Sequence, residues 1–145
     1  MKNIHIKKDQ FALQLNGGEF VKFLAPGQYR FLNLLGKTEV VVFDMEFPEF
    51  THEIKNHLLR CEREIMNQYF HLVEPEPEQV VLRFEGQSLC EILRHGAPRL
   101  FWKAALKAQR FETIDLNQVW FKHSAADYLR LHLPEVMAAN FYLAD

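Results

Sequence analysis

The sequence predicts an α+β protein made of two tandem β-rich modules of mainly antiparallel strands, each followed by a helical connector. Two observations predict this class. Strand-like runs separated by turn residues give way to an amphipathic helical pattern, and the same order then returns in the second half of the chain. The composition, with 48% apolar and 25% charged residues in a chain of 145, is that of a globular protein.

Short strands open the first module. Alternating or β-branched apolar residues predict strands at residues 4–6, 11–15, 19–24, 29–32 and 38–45. Asn16-Gly17-Gly18 is a tight-turn signal that joins the second and third strands in a hairpin. Pro26-Gly27 predicts a type II turn after the third strand. The β-branched run of the fifth strand predicts a more buried position for it.

A helical pattern follows the strands. Between Phe50 and Tyr69 the apolar residues recur at helical spacing, and the opposite face is charged. This pattern predicts an amphipathic helix with Thr51 as its N-cap.

The second module repeats the first. Shifted by 69 positions, residues 10–30 match residues 79–99 without gaps, and the turn glycines Gly17 and Gly86 coincide. After a two-residue insertion, residues 42–45 fall on residues 113–116. Such self-similarity indicates duplication, with modules at residues 1–68 and 69–139.

The end of the chain resembles the start of another repeat. At an offset of 71, residues 140–145 repeat the pattern of residues 69–74, and residues 124–132 and 134–140 read as two helical pieces. Because natural proteins usually avoid an unpaired apolar edge, we expect the chain to be a fragment or a trimmed form of a longer protein.

Charge and motifs argue against several functions. The chain has 17 Lys+Arg against 19 Asp+Glu, so it lacks the excess of basic residues that nucleic-acid binding uses. Cys61 and Cys90 have neither disulfide-framework nor zinc spacing, and we expect two reduced, buried thiols. The seven histidines are dispersed, and no phosphate loop or nucleophile elbow occurs. The sequence predicts no catalytic, cofactor-binding or metal-binding residues and no enzyme activity.

A family resemblance rests on the strand and turn patterns. Residues 10–31 (QFALQLNGGEFVKFLAPGQYRF) and 39–44 (EVVVFD) resemble the N-terminal segments of bacterial slipins, stomatin-like members of the SPFH (band 7) superfamily. Residues 70–74, 79–86 and 100–103 are similar to the repeated unit that precedes the SPFH domain in some slipins. In this second copy, His95-Gly96 replaces the usual Pro-Gly turn. The membrane hairpin and long C-terminal helix of stomatins are not visible.

The resemblance implies a non-catalytic scaffold that forms large homo-oligomers and acts on partners such as membrane proteases. It implies a cytoplasmic protein, peripheral to the inner membrane in its full-length form, with peripheral or indirect membrane contact. No stretch approaches the apolar length of a membrane span.

The residues allow one alternative. A small-molecule or peptide-binding domain, with or without enzyme activity, could use a pocket between the two repeats. His95, Cys90 and Trp102 are the nearest polar and aromatic candidates for such a pocket.

Overall fold

Antiparallel strands dominate the computed structural model, which describes residues 2–31 and 36–119. The described strands are β1 Lys2–Ile6, β2 Gln10–Asn16, β3 Glu19–Leu24, β4 Gly27–Phe31, β5 Thr38–Asp44, β6 Glu49–Phe50, β7 Phe70–Val73, β8 Gln79–Glu85, β9 Ser88–Arg94, β10 Arg99–Trp102 and β11 Gln109–Asp115. The helices are α1 Lys55–Cys61, α2 Arg63–Tyr69 and the single turn α3 Leu116–Val119. The prediction of a β-rich α+β fold with mainly antiparallel strands is confirmed.

Two three-stranded sheets have the same strand order. In the first, β2 lies between β3 and β5, and in the second, β8 lies between β9 and β11. Strands β1 and β4 form a two-stranded ribbon. The corresponding pair β7 and β10 gains a third strand, because β6 pairs with β10.

Strand pairing in the two sheets follows the sequence offsets residue by residue. Gln10 pairs with Asp44 in the first sheet, and Gln79 pairs with Asp115 in the second. A β-bulge lies between Gln14 and Leu15, and another lies at the equivalent place in the second sheet, between Arg83 and Phe84. The glycines after β2 and β8 both have φ of +60°, a conformation that favours glycine. The hairpin predicted at Gly17 is therefore confirmed.

The largest hydrophobic core contains residues from both halves of the chain. Its buried members lie on the first sheet, in the turn after β5, on the helices and on the strands β6, β7 and β10: Leu13, Leu15, Phe23, Met45, Phe50, Leu58, Met66, Phe70, Leu100 and Trp102. The first sheet thus packs against strands that follow the helices in sequence.

The helical connector differs from the prediction. Two helices replace one, because Glu62 leaves the helical region with φ −130° and ψ +48°. Leu58 of α1 and Met66 of α2 are both fully buried in the main core.

The predicted N-cap and type II turn are also wrong. Glu49–Phe50 is extended because it pairs with β10, so α1 begins only at Lys55 and Thr51 is not its cap. Instead, the His52 imidazole Nδ1 accepts the N–H of Ile54 at 3.0 Å. Gly27 has φ of +154°, far from the +80° or so of a type II turn.

The expected burial of β5 and of the thiols is wrong. Strand β5 lies at the edge of its sheet, where Val42 is 45% exposed. Both cysteines are exposed. Cys61 is the last residue of α1, and Cys90 is the extra residue of the bulge in β9, since Leu89 and Glu91 take the adjacent pairing positions. The predicted third repeat and its helical pieces lie outside the described residues.

Candidate functional site

The three residues suggested for a pocket do not share one. Trp102 is 1% exposed, and its ring lies 4.5 Å from that of Phe70, centroid to centroid, inside the main core. Cys90 is exposed, and its thiol lies 3.5 Å from the carbonyl oxygen of Ser88. The exposed His95 places Nδ1 2.9 Å from the carbonyl oxygen of Pro75. Trp102 therefore packs in the core and has no surface to offer a ligand.

Open grooves on the surface of residues 2–31 and 36–119 include two that are each lined by strands of one half of the chain. One, of about 440 Å³, is lined by both strands of the β1–β4 ribbon. The other, of about 240 Å³, lies on β7, β8 and β11, with Val81 and Phe111 among its apolar residues. Each groove belongs to one half of the chain.

Metal and membrane features are absent from residues 2–31 and 36–119. No cluster of three or more His, Cys, Asp or Glu side chains that could hold a metal ion occurs there. No helix in these ranges has both the length and the apolar character needed to cross a membrane.

A network of charged side chains joins the two halves of the chain. The Arg99 guanidinium donates two hydrogen bonds to the carboxylate of Glu49, at 2.7 and 2.8 Å. It also donates at 3.0 Å to Glu91, which in turn accepts a hydrogen bond from Arg83. Since Glu49 lies on β6 and Arg99 on β10, this bidentate pair reinforces a backbone pairing of only two residues.

The charged network shifts the pKa values of Glu49 and Arg99. The hydrogen bonds from Arg99 hold the pKa of Glu49 below its usual value, against the opposing effect of burial. The same bonds raise the pKa of Arg99. Both guanidinium groups also lie over the ring of Phe101, with Arg83 at 5.2 Å and Arg99 at 5.3 Å from its centroid. The two guanidinium groups therefore also pack against Phe101, close to the place where Glu49 of the first half pairs with Arg99 of the second.

The imidazole of His71 is half-buried against an aromatic ring. Burial lowers the pKa of His71, and the charge of Lys103 lowers it further. The imidazole lies 5.2 Å from the ring of Phe111, centroid to centroid. His71 therefore favours its neutral form and packs as a largely apolar ring.

The outer edges of the two sheets differ in how they are protected. Strands β3 and β9 carry a bulge, at Val21 and Cys90, which interrupts a regular edge. Strand β11 carries a charged residue at its middle, Glu112, which is joined by a salt bridge to Arg110. Strand β5 has neither device, because its central residues are Val-Val-Val-Phe and its pairing with β2 is regular throughout.

The backbone groups on the outer side of β5 can be assigned from its ends. Met45 donates its N–H to Asp9, and Gly17 donates to Lys37, at 2.9 and 3.0 Å. In an antiparallel pair, successive residues point their backbone N–H and C=O groups alternately toward and away from the partner strand. The odd-numbered residues of β5 therefore bond to β2. The N–H and C=O groups of four residues therefore point away from β2: Thr38, Val40, Val42 and Asp44. We call this row the β5 edge.

Sequence reasoning missed both features. No periodic signal links Glu49 to Arg99, which are 50 residues apart. The sequence shows that the centre of β5 carries no charge, but nothing in it shows that this strand lies at the edge of a sheet.

The chain matches no family model, no curated protein and no solved structure. The site must therefore be interpreted from its own chemistry.

Proposed function

We propose that the chain is a non-catalytic interaction and assembly module of a slipin-like (SPFH/band 7) membrane-associated scaffold. In this proposal, residues 1–68 and 69–139 are tandem β-rich modules, and residues 140–145 open a third. The observation that carries the proposal is the equivalence of hydrogen bonds in the two sheets. Gly17 donates its N–H to the carbonyl of Lys37, and Gly86 donates its N–H to the carbonyl of Ala108. The two donors are 69 residues apart and the two acceptors are 71 residues apart, which are the offsets of the sequence repeat.

The junction between the halves also supports a repeat protein. In repeat proteins each unit buries its apolar face against its neighbour. Here Leu100 and Trp102, from the second half, complete the core over the first sheet. Such stacking leaves sheet edges along the array, and these are surfaces on which proteins pair.

Location and partners follow from the resemblance to slipins. We place the module in the cytoplasm, peripheral to the inner membrane in the full-length protein. Its partners would be further copies of itself and other proteins, including membrane proteases.

Sedimentation velocity tests the assembly function. We expect the 145-residue chain to associate reversibly as its concentration is raised from about 1 μM to about 500 μM. A mass of 17.2 kDa at every concentration would overturn the proposal.

A further inference from the structure

We propose that the β5 edge pairs with the β5 edge of a second copy of this chain, giving an antiparallel dimer with two-fold symmetry. The inference rests on the proposed assembly function and identifies its surface. Within residues 2–31 and 36–119, β5 pairs with β2 alone. An edge of seven regularly paired residues without a central charge, proline or bulge can add another strand.

The sequence of β5 suits pairing with itself. When the two-fold axis passes through Val41, Val40 of one copy lies opposite Val42 of the other. Both residues point their N–H and C=O groups to the open edge, so the pair can exchange two hydrogen bonds. Thr38 and Asp44 meet at the ends of the strands, where the carbonyl of Asp44 already accepts the N–H of Phe47 at 3.1 Å. Val40 and Val42 of each copy therefore supply the central hydrogen bonds of the pair.

Charge placement favours the same register. Glu39 of one copy falls opposite Phe43 of the other, and Asp44 falls opposite Thr38. No two like charges lie directly opposite, which is the arrangement that destabilises cross-strand pairs.

Side-chain packing adds an apolar contribution. Val40 packs beside the small cluster of Ile6, Ala12 and Leu24, and Val42 alternates onto the same face. Val42 is 45% exposed in the isolated chain. Pairing would bring Val40 and Val42 of both copies into one row and would extend this cluster across the axis.

The equivalent strand of the second half supplies a control. Strand β11 has the same place in its sheet, but Arg110 and Glu112 stand where β5 has Glu39 and Val41. Thr113 is the equivalent of Val42, and the same alternation points its N–H outward, since Leu116 donates to Glu78 and Gly86 donates to Ala108.

A pair of proline variants tests the proposal. Proline is tolerated at an edge where the N–H faces solvent, so Val42→Pro removes one outward donor and keeps the bonds to β2. Because the dimer has two-fold symmetry, each copy loses this donor, and two intermolecular hydrogen bonds are lost per dimer. We expect the dissociation constant of the dimer to rise at least about tenfold, measured by sedimentation velocity. Thr113→Pro should change it less than about twofold.

Folding is checked by circular dichroism for both variants. Val42→Lys is the second test, because it keeps the amide and adds a charge at the exposed position; it should also weaken the dimer. Association of the wild-type chain with no response to either Val42 variant would overturn the β5 pairing and leave the assembly function standing. A wild-type monomer at all concentrations would overturn both. Equal weakening by Val42→Pro and Thr113→Pro would also count against the β5 edge.

Discussion

Replacing Trp102 with alanine should destabilise both halves of the chain together. The indole is 1% exposed and lies among the aromatic rings of the main core. Its ring centroid is 4.5 Å to 5.7 Å from those of rings on five strands: Phe11, Phe23, Phe43, Phe50 and Phe70. Three of these strands form the first sheet, whereas Trp102 itself belongs to the second half.

The size of the effect follows from burial and cavity formation. Removing a fully buried tryptophan costs about 3–5 kcal/mol in the free energy of unfolding. Trp102 lies near the upper end of this range, because aromatic pairs contribute about 0.5–1.5 kcal/mol beyond the area they bury. A loss of this size is a large part of the about 5–15 kcal/mol that stabilises a typical domain.

Urea unfolding monitored by circular dichroism measures the loss, and amide hydrogen exchange locates it. We expect faster exchange in β2 and in β7, because the core at Trp102 joins the first sheet to the strands β6, β7 and β10. Trp102→Phe should lose less, and Leu106→Ala, at a side chain that is 61% exposed, should change the stability by less than about 0.5 kcal/mol. A loss below about 1 kcal/mol for Trp102→Ala, or faster exchange confined to β10, would refute the shared core.

Three further predictions concern charge and backbone. Because hydrogen bonds from Arg99 lower the pKa of Glu49, this pair stabilises the fold above the unfolded pKa near 4.5, and the stabilisation is lost as the pH falls through the lower folded-state pKa. In urea unfolding, Glu49→Gln should cost about 1 kcal/mol at neutral pH, both side chains being partly exposed, and progressively less as the pH falls below about 4.5. Because burial lowers the pKa of His71, the unfolded state binds more protons than the folded state below pH 6.5, and the free energy of unfolding decreases there as the pH is lowered. His71→Gln should flatten this pH dependence, and an unchanged slope would contradict the prediction. Gly17→Ala and Gly86→Ala, both at φ +60° with no atom near the added carbon, should each cost about 1 kcal/mol in thermal unfolding, and clearly unequal costs would argue against equivalent turns.

Local conformation could be predicted from the sequence. The hairpin at Gly17 depends on residues that accept positive φ, and these are visible in any sequence. The repeat of this turn at Gly86 was equally visible. Strand positions followed from short runs of apolar residues, which require no knowledge of the partner strand.

Features that depend on distant partners could not be predicted. A valine-rich strand can be central or at an edge, and only the pairing of β2 with β3 and β5 decides that β5 is outermost. The helical pattern that begins at Phe50 does not show where α1 starts, because Glu49–Phe50 pairs with β10, which lies far away in the sequence. Cys90 is the extra, exposed residue of the bulge in β9, and no local pattern in the sequence predicts that bulge.

Amide hydrogen exchange at two protein concentrations tests most directly the claim that the chain assembles through the β5 edge. The outward N–H groups of Val40 and Val42 have no acceptor on β2, and those of Phe111 and Thr113 have none on β8. We predict that exchange at Val40 and Val42 slows as concentration rises, while exchange at Phe111 and Thr113 stays unchanged. Rates at Val40 and Val42 that do not depend on concentration would contradict the claim.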